Sequence, residues 1–127
     1  MAKVKTVREL RVWQQSIDLV VASYRETSRF PADERFGLTA QIRRAATSVP
    51  ANIAEGFGRW NQREFARFLT IANGSLRELE THFLVAEKLG YVRPERLVLL
   101  LRSIDDEGKM IFSLLNRIRR KQADRKP

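Results

Sequence analysis

The sequence predicts an all-α protein, an antiparallel up-down-up-down four-helix bundle in a single domain. Three observations predict it: apolar residues recur at steps of three and four in four successive segments, the connections between segments are short, and no segment alternates with the period of a strand. A chain of 127 residues, 43% of them hydrophobic, is long enough for one core. We expect helices near residues 9–29, 37–56, 61–89 and 94–120.

The first helix is predicted to bury a seam in steps of four and three, formed by Trp13, Ile17, Val20, Tyr24 and Thr27. Pro31 ends this helix, because a residue that precedes proline avoids helical geometry. The connection from Pro31 to Gly37 is polar, and we expect Phe36 within it to pack back onto the bundle.

The second helix carries an apolar stripe of Leu38, Ile42, Ala45, Val49 and Ile53. Pro50 lies inside this pattern, where it removes one backbone hydrogen bond and crowds the carbonyl of Ala46. A helix kinked at Pro50 is predicted, and two short helices broken at 48–50 are the alternative. Gly56 and Gly58, which tolerate positive φ, are predicted to end the helix.

The third helix begins at the N-cap residue Asn61 and ends before Gly90. Its predicted seam is Phe65, Leu69, Ala72, Leu76, Leu79, Phe83 and Ala86. Pro94 begins the fourth helix, whose predicted seam is Leu97, Leu101, Ile104, Gly108, Ile111, Leu115 and Ile118. The three consecutive acids from Asp105 to Glu107 are interpreted as part of a solvated face.

The net charge of +9 is concentrated at the two ends of the chain. Residues 1–11 carry four basic and one acidic side chain, and residues 117–127 carry six basic and one acidic. We therefore predict a basic N-terminal arm (1–8) and a basic C-terminal tail (119–127). Such segments are solvated arms or contacts to nucleic acid and other acidic partners.

Several kinds of chemistry are excluded or disfavoured by the composition. The chain has no cysteine and one histidine, His82, so neither a disulfide nor a usual zinc site is expected. We predict no cofactor, no metal and no enzymatic activity, because no nucleophile–base pair can be assembled from motif spacing. No apolar run is long enough for a membrane span, and a cytoplasmic location is the default.

Two sets of residues are candidates for binding. A nucleic-acid-binding patch is predicted where arginines meet at the junction of helices two and three, together with the basic tail: Arg43, Arg44, Arg59, Arg63 and Arg67, then Arg117, Arg119, Arg120 and Lys121. Structural ion pairing with Glu55 is the alternative for the first group. Self-association is predicted through surplus apolar or small residues: Gly56, Phe57, Trp60, Gly74, Val98, Leu99 and Leu100.

Two runs resemble the family of 23S rRNA intervening-sequence proteins: FGLTAQIRRAATSVPANIAEGFGR (Phe36 to Arg59) and EFARFLTIANGSLRELET (Glu64 to Thr81). The segments ELRVWQQSIDLV and EKLGY fit the same pattern. The resemblance implies a four-helix bundle that forms a ring-like homo-oligomer, a pentamer in relatives. It also implies a relation to the accessory variability protein of diversity-generating retroelements, which binds nucleic acid and a reverse transcriptase.

The predicted function is therefore a non-enzymatic homo-oligomer that binds RNA or DNA electrostatically with little sequence specificity. Its candidate partners are further copies of itself, RNA or DNA, and a protein such as a reverse transcriptase, but not a membrane. The alternative is a protein-binding scaffold or accessory subunit that makes no direct contact with nucleic acid.

Overall fold

The computed structural model describes residues 4–124, which form four long helices and two short 3₁₀ turns. The helices are α1 (Arg11–Thr27), α2 (Leu38–Phe57), α3 (Gln62–Lys88) and α4 (Pro94–Asp124), and the turns are Val7–Glu9 and Ala32–Glu34. These described residues contain no strand, so the predicted all-α fold class is confirmed. None of the helices in this range is long and apolar enough to cross a membrane.

The helices pack cyclically, with α1 and α3 each lying against both α2 and α4. Cross-helix contacts fix their relative positions. The hydroxyls of Ser48 and Ser75 lie 2.8 Å apart between α2 and α3, and the Nε of Arg96 donates to Glu26 at 2.7 Å between α4 and α1. Because the connections are short, neighbouring helices run antiparallel.

The predicted seams of α2 and α3 are confirmed except at their first residues, because Leu38 and Phe65 are half-buried. Ile42, Val49 and Ile53 of α2 are fully buried, as are the α3 residues from Leu69 to Ala86 that were predicted to be buried. α2 runs unbroken through Pro50, so the alternative of two short helices is wrong. The kink at Pro50 stays a prediction.

The ends of α2 and α3 show how the chain turns between helices. Gly58 has a φ of −72° and Gly56 lies inside α2, so neither uses the positive φ that was predicted for it. Trp60 takes that conformation instead, with a φ of 56°. Asn61 then caps α3 by accepting a hydrogen bond from the Glu64 backbone N–H at 2.9 Å, as predicted.

The buried face of α1 is one residue out of register with the predicted seam. The buried positions are Val12, Ser16, Leu19, Ser23, Glu26 and Thr27. The larger apolar side chains that we expected in the core, among them Trp13 and Tyr24, are half-buried or exposed. The prediction failed because the α1 core positions are mostly small and polar, while the apolar stripe follows the neighbouring face.

The α4 seam also differs from the prediction, at two positions. Leu100 is buried where Leu101 was expected, and Glu107 is buried where Gly108 was expected. Glu107 is therefore not part of a solvated acidic face, although Asp105 and Asp106 are exposed. A carboxyl side chain is rarely placed in a core, so a pattern of apolar residues could not indicate it.

One prediction about a connecting segment is wrong: Phe36 does not pack onto the bundle but is 88% exposed, with the Arg35 guanidinium 5.7 Å from its ring centre. α4 continues to Asp124, four residues beyond its expected end, so residues 119–124 of the predicted basic tail are helical. The remaining residues of the predicted arm and tail, 1–3 and 125–127, lie outside the described range.

Gly56 and Gly74 offer a matched pair of stability predictions. A Cβ atom added at Gly56 would lie 2.6 Å from the Cβ of Phe68, whereas one added at Gly74 would meet nothing within 4 Å. We expect Gly56→Ala to lower the free energy of unfolding by about 2 kcal/mol through overpacking. Gly74→Ala should raise it by roughly 0.5–1 kcal/mol, because alanine loses less backbone entropy in a helix.

Urea unfolding of both variants, followed by circular dichroism, measures this pair. Equal effects of the two substitutions would contradict the close approach of α2 and α3 at Gly56.

Candidate nucleic-acid interface

The topology gathers the basic segments at one end of the bundle. The start of α1, the corner between α2 and α3, and the end of α4 all lie there, because an up-down-up-down bundle places alternate helix ends together. Leu10 and Val12 share a surface groove with Leu114 and Arg117, which shows that the start of α1 meets the last third of α4.

We call this region the basic end and define it by the basic side chains Lys5, Arg8, Arg11, Arg59, Arg63, Arg67, Arg117, Arg119, Arg120 and Lys121. Four acidic side chains accompany these ten: Glu9, Glu55, Glu64 and Asp124. The basic end therefore carries a net charge of +6. By formal charge, the other described residues balance, with eleven basic and eleven acidic side chains. The basic end therefore accounts for the whole formal net charge of the described residues.

The arginines at the α2–α3 corner form weak, exposed contacts. Arg59 lies 3.5 Å from Glu55 and Arg67 lies 3.2 Å from Glu64, with all four side chains substantially exposed. The guanidinium groups of Arg59 and Arg67 also stand 5.2 and 4.6 Å from the ring centre of Phe68. A hydrogen bond from Arg67 lowers the pKa of the Glu64 carboxyl.

Exposed ion pairs of this kind contribute little to stability, so a phosphate can replace their carboxylates at small cost. Arg63 is exposed and forms no ion pair with any residue in the range 4–124. The corner therefore offers three guanidinium groups to an anion.

Arg43 and Arg44 do not belong to this cluster, contrary to the prediction. They lie in the first half of α2, about 20 Å along the helix axis from its end, given a rise of 1.5 Å per residue. Arg43 has a structural role there. Its Nε donates to Thr27 Oγ1 at 2.9 Å, and its guanidinium lies 4.4 Å from the ring centre of Tyr24.

The predicted pairing of Glu55 with an arginine of the Arg43–Arg44 pair is also absent from the ion pairs between described residues. Glu55 instead meets Arg59, four residues later on the same side of α2. The four basic residues at the end of α4, Arg117, Arg119, Arg120 and Lys121, are all exposed.

The residues predicted for self-association fall into two groups. Gly56 and Leu100 are buried, and Phe57 packs between Trp60 and Phe65 with ring centres 5.9 and 6.0 Å away, so these three serve the bundle itself. Trp60, Gly74, Val98 and Leu99 are exposed. Trp60 belongs to the basic end, whereas Val98 and Leu99 lie at the opposite end, near the start of α4.

Sequence reasoning missed the half-exposed apolar stripe of α1, which comprises Trp13, Ile17, Val20, Val21 and Tyr24. The steps of three and four in this stripe were visible, but they were assigned to the core. The adjacent face carries Ser16, Ser23 and Glu26. Because these residues are polar, the sequence did not indicate that this face is the buried one.

The described residues show little that resembles a catalytic site. No group of three or more His, Asp or Glu side chains between residues 4 and 124 could hold a metal ion. Burial raises the pKa of the Glu107 carboxyl to about 8, but this side chain is sealed inside the bundle. A surface cleft between α3 and α4 has one carboxylate, Asp105, beside Arg77 and Lys109.

The fold and the site together define a class: a four-helix bundle with charge-neutral flanks and one strongly basic end. The model of the 23S rRNA-intervening sequence protein family matches residues 8–113. The chain belongs to this family, as its resemblance predicted.

A solved structure supports the same fold. It is a crystal structure of a protein with unknown function from the S23 ribosomal protein family of Bacteroides thetaiotaomicron. That protein is 22% identical to this chain, with a TM-score of 0.73, and the match covers 82% of this chain and 97% of the other. A search of curated proteins found no match.

Proposed function

We propose that this chain is a non-enzymatic homo-oligomer that binds RNA or DNA electrostatically through its basic end. The observation that carries the proposal is the charge distribution: a formal net charge of +6 lies at one end of the bundle, and the formal charges of the other described residues balance. A localised positive potential attracts a polyanion and orients it.

The mechanism follows from the exposure of these side chains. Arginine and lysine neutralise phosphates and release the counterions condensed on the nucleic acid, which is the main source of sequence-independent affinity. The basic side chains of α4 lie around Ile118, the last buried residue of that helix, and they are exposed. The proposal uses them for phosphate contacts and includes no base-specific readout.

Self-association is supported by apolar surface that the bundle does not use. Val98 and Leu99 are 53% and 60% exposed, and Leu99 lines a groove with Ala22 and Arg25 of α1. The α1 stripe is a second apolar surface, on the side of α1 next to α2, where Tyr24 lies against Arg43. A ring would multiply the +6 of each subunit and increase avidity.

The family resemblance alone implies an assembly of five subunits and a reverse transcriptase as a partner. Both stay predictions, as does the cytoplasmic location. The absence of enzymatic activity is also a proposal. It is supported by the isolation of Glu107, the one carboxyl group with a raised pKa among residues 4–124.

A salt titration tests the binding proposal. The triple substitution of Arg119, Arg120 and Lys121 by glutamine removes three exposed charges from the basic end. Its matched control replaces Arg29, Lys88 and Arg93, which are exposed at the opposite end, by glutamine. We expect the slope of log affinity against log salt for mixed-sequence duplex DNA to flatten by about 2–3 units in the first variant. The control should keep the wild-type slope.

Two results would contradict the proposal: no binding of RNA or DNA even at low salt, or equal loss of affinity in both variants. The first would favour the protein-binding scaffold, for which the exposed Val98 and Leu99 are the supporting observation. The mass of the wild-type protein by light scattering tests self-association separately, and a monomer at micromolar concentration would refute it.

A further inference from the structure

Trp60 occupies an unusual position in the turn between α2 and α3. It is 80% exposed, and it is the one non-glycine residue between positions 4 and 124 with a positive φ. Backbone hydrogen bonds hold the turn: Arg59 N–H donates to Gly56 and Trp60 N–H to Phe57. A bulky residue in the left-handed region is strained, and strained residues cluster at functional sites.

The indole of Trp60 is supported from one side. Its ring is tilted by 48° against Phe57, and Phe57 in turn meets Phe65 edge-on. The chain of three rings connects Trp60 to the bundle while most of the indole surface faces solvent. An aromatic ring held in this way loses little side-chain freedom when something stacks on it.

The surroundings of Trp60 are basic. Arg59 precedes it in the turn, and Arg63 lies in the first turn of α3. The exposed basic residues of α4 lie at the same end of the bundle. Proteins that bind single strands combine aromatic side chains, on which bases stack, with a positively charged surface for the backbone. Duplex DNA buries its base faces and cannot use an exposed ring in this way.

We propose that Trp60 stacks on an unpaired base, so that the basic end prefers single-stranded RNA or DNA over duplex. Arg59 and Arg63 neutralise the phosphates on either side of that base. The proposal deepens the proposed function and rests on it, since it requires that nucleic acid binds at the basic end. The positive charge around Trp60 favours this occupant over an uncharged apolar surface.

Two substitutions at Trp60 separate binding from folding. Trp60→Gly removes the ring and relieves the positive φ, so this variant should unfold at the same or a higher urea concentration than the wild type. Trp60→Phe keeps an aromatic face. A matched control is Phe36→Gly, which removes another highly exposed ring beside an arginine, Arg35, at the end opposite to the basic end.

The measurement is fluorescence anisotropy with labelled oligonucleotides of about 12 nucleotides, matched to the known site sizes of single-strand binders. The probes are a pyrimidine-rich DNA strand, the RNA of the same sequence, and the DNA duplex. We expect Trp60→Gly to weaken binding of both single strands by roughly 5- to 100-fold and to leave duplex binding within about twofold. Trp60→Phe should retain most of the affinity, and Phe36→Gly should match the wild type.

Three results would overturn the proposal. Unchanged single-strand binding in Trp60→Gly would remove Trp60 from the site while leaving the proposed function standing. A wild-type protein that binds none of the three probes would refute both. A fall in oligomer mass in Trp60→Gly, with any loss of affinity equal for single strands and duplex, would make Trp60 an interface between copies of the chain.

Discussion

Replacing Glu107 with glutamine is expected to remove a large part of the pH dependence of folding stability. The side chain is fully buried, and neither carboxyl oxygen has a hydrogen-bond partner among residues 4–124. Arg77 of the neighbouring α3 comes close to this turn of α4, but it is engaged by Glu80 at 2.8 Å. Burial without compensation therefore raises the pKa of Glu107 from 4.5 to about 8.

The sign of the effect follows from the two pKa values. Between pH 4.5 and about 8, the unfolded chain has an ionised Glu107 and the folded chain has a protonated one. Folding must then take up a proton, so stability falls as pH rises through this window and levels off above it. By neutral pH the loss is on the order of 3 kcal/mol.

Urea unfolding at several pH values across this window measures the effect. The difference in unfolding free energy between the wild type and Glu107→Gln should change steadily with pH, and Glu107→Leu should be more stable than the wild type near neutrality. Glu78→Gln, at an exposed position of α3, is the control and should follow the wild type. A wild-type stability that tracks Glu107→Gln at every pH would contradict the prediction.

Replacing Arg96 with methionine is expected to lower the free energy of unfolding by about 3 kcal/mol. Glu26 is almost completely buried in α1, and its carboxylate accepts a hydrogen bond of 2.7 Å from Arg96 of α4. Removing the arginine leaves a buried charge without its partner, which is among the most destabilising changes in a protein core. This expected loss lies at the lower end of the range for breaking a buried ion pair, because the Arg96 side chain is 40% exposed.

Replacing Glu26, the other member of the pair, should destabilise the protein less. Glu26→Gln removes the buried charge and leaves a partly solvated arginine, so we expect the free energy of unfolding to fall by about 1 kcal/mol. Arg102→Met, at an exposed position of α4, controls for the loss of a positive charge. Chemical denaturation at pH 7 compares the three variants, and a larger cost for Glu26→Gln than for Arg96→Met would show that the pair is not organised around a buried carboxylate.

The fold could be predicted from the sequence because α2 and α3 bury apolar residues at regular steps. The core positions of α1 could not be found in this way. Ser16 and Ser23 enter the core because their hydroxyls donate to backbone carbonyls of the preceding turn, at 2.6 and 2.8 Å. Their polar atoms are thus satisfied locally, and burial costs little. A periodicity based on apolarity alone selects the neighbouring, more apolar face.

The candidate site was partly predictable for a similar reason. Arg59, Arg63 and Arg67 are close in sequence and meet at a corner, so their proximity was foreseeable. Arg43 was grouped with them although most of α2 separates it from Arg59. The convergence of the α2–α3 corner with the end of α4 follows from the antiparallel order of four helices, which the short connections between them predict.

An even number of antiparallel helices brings the chain back to the end at which it entered. The start of α1 and the end of α4 are therefore neighbours, so a sequence attached close to either of these helix ends lies near the positive charge of the basic end. An acidic affinity tag placed there would compete with an anionic partner, whereas a cluster of histidines, which is neutral or positively charged, would not. The turn between α3 and α4 around Gly90, at the far end of the molecule, is the better site for a label or an anchor to a surface.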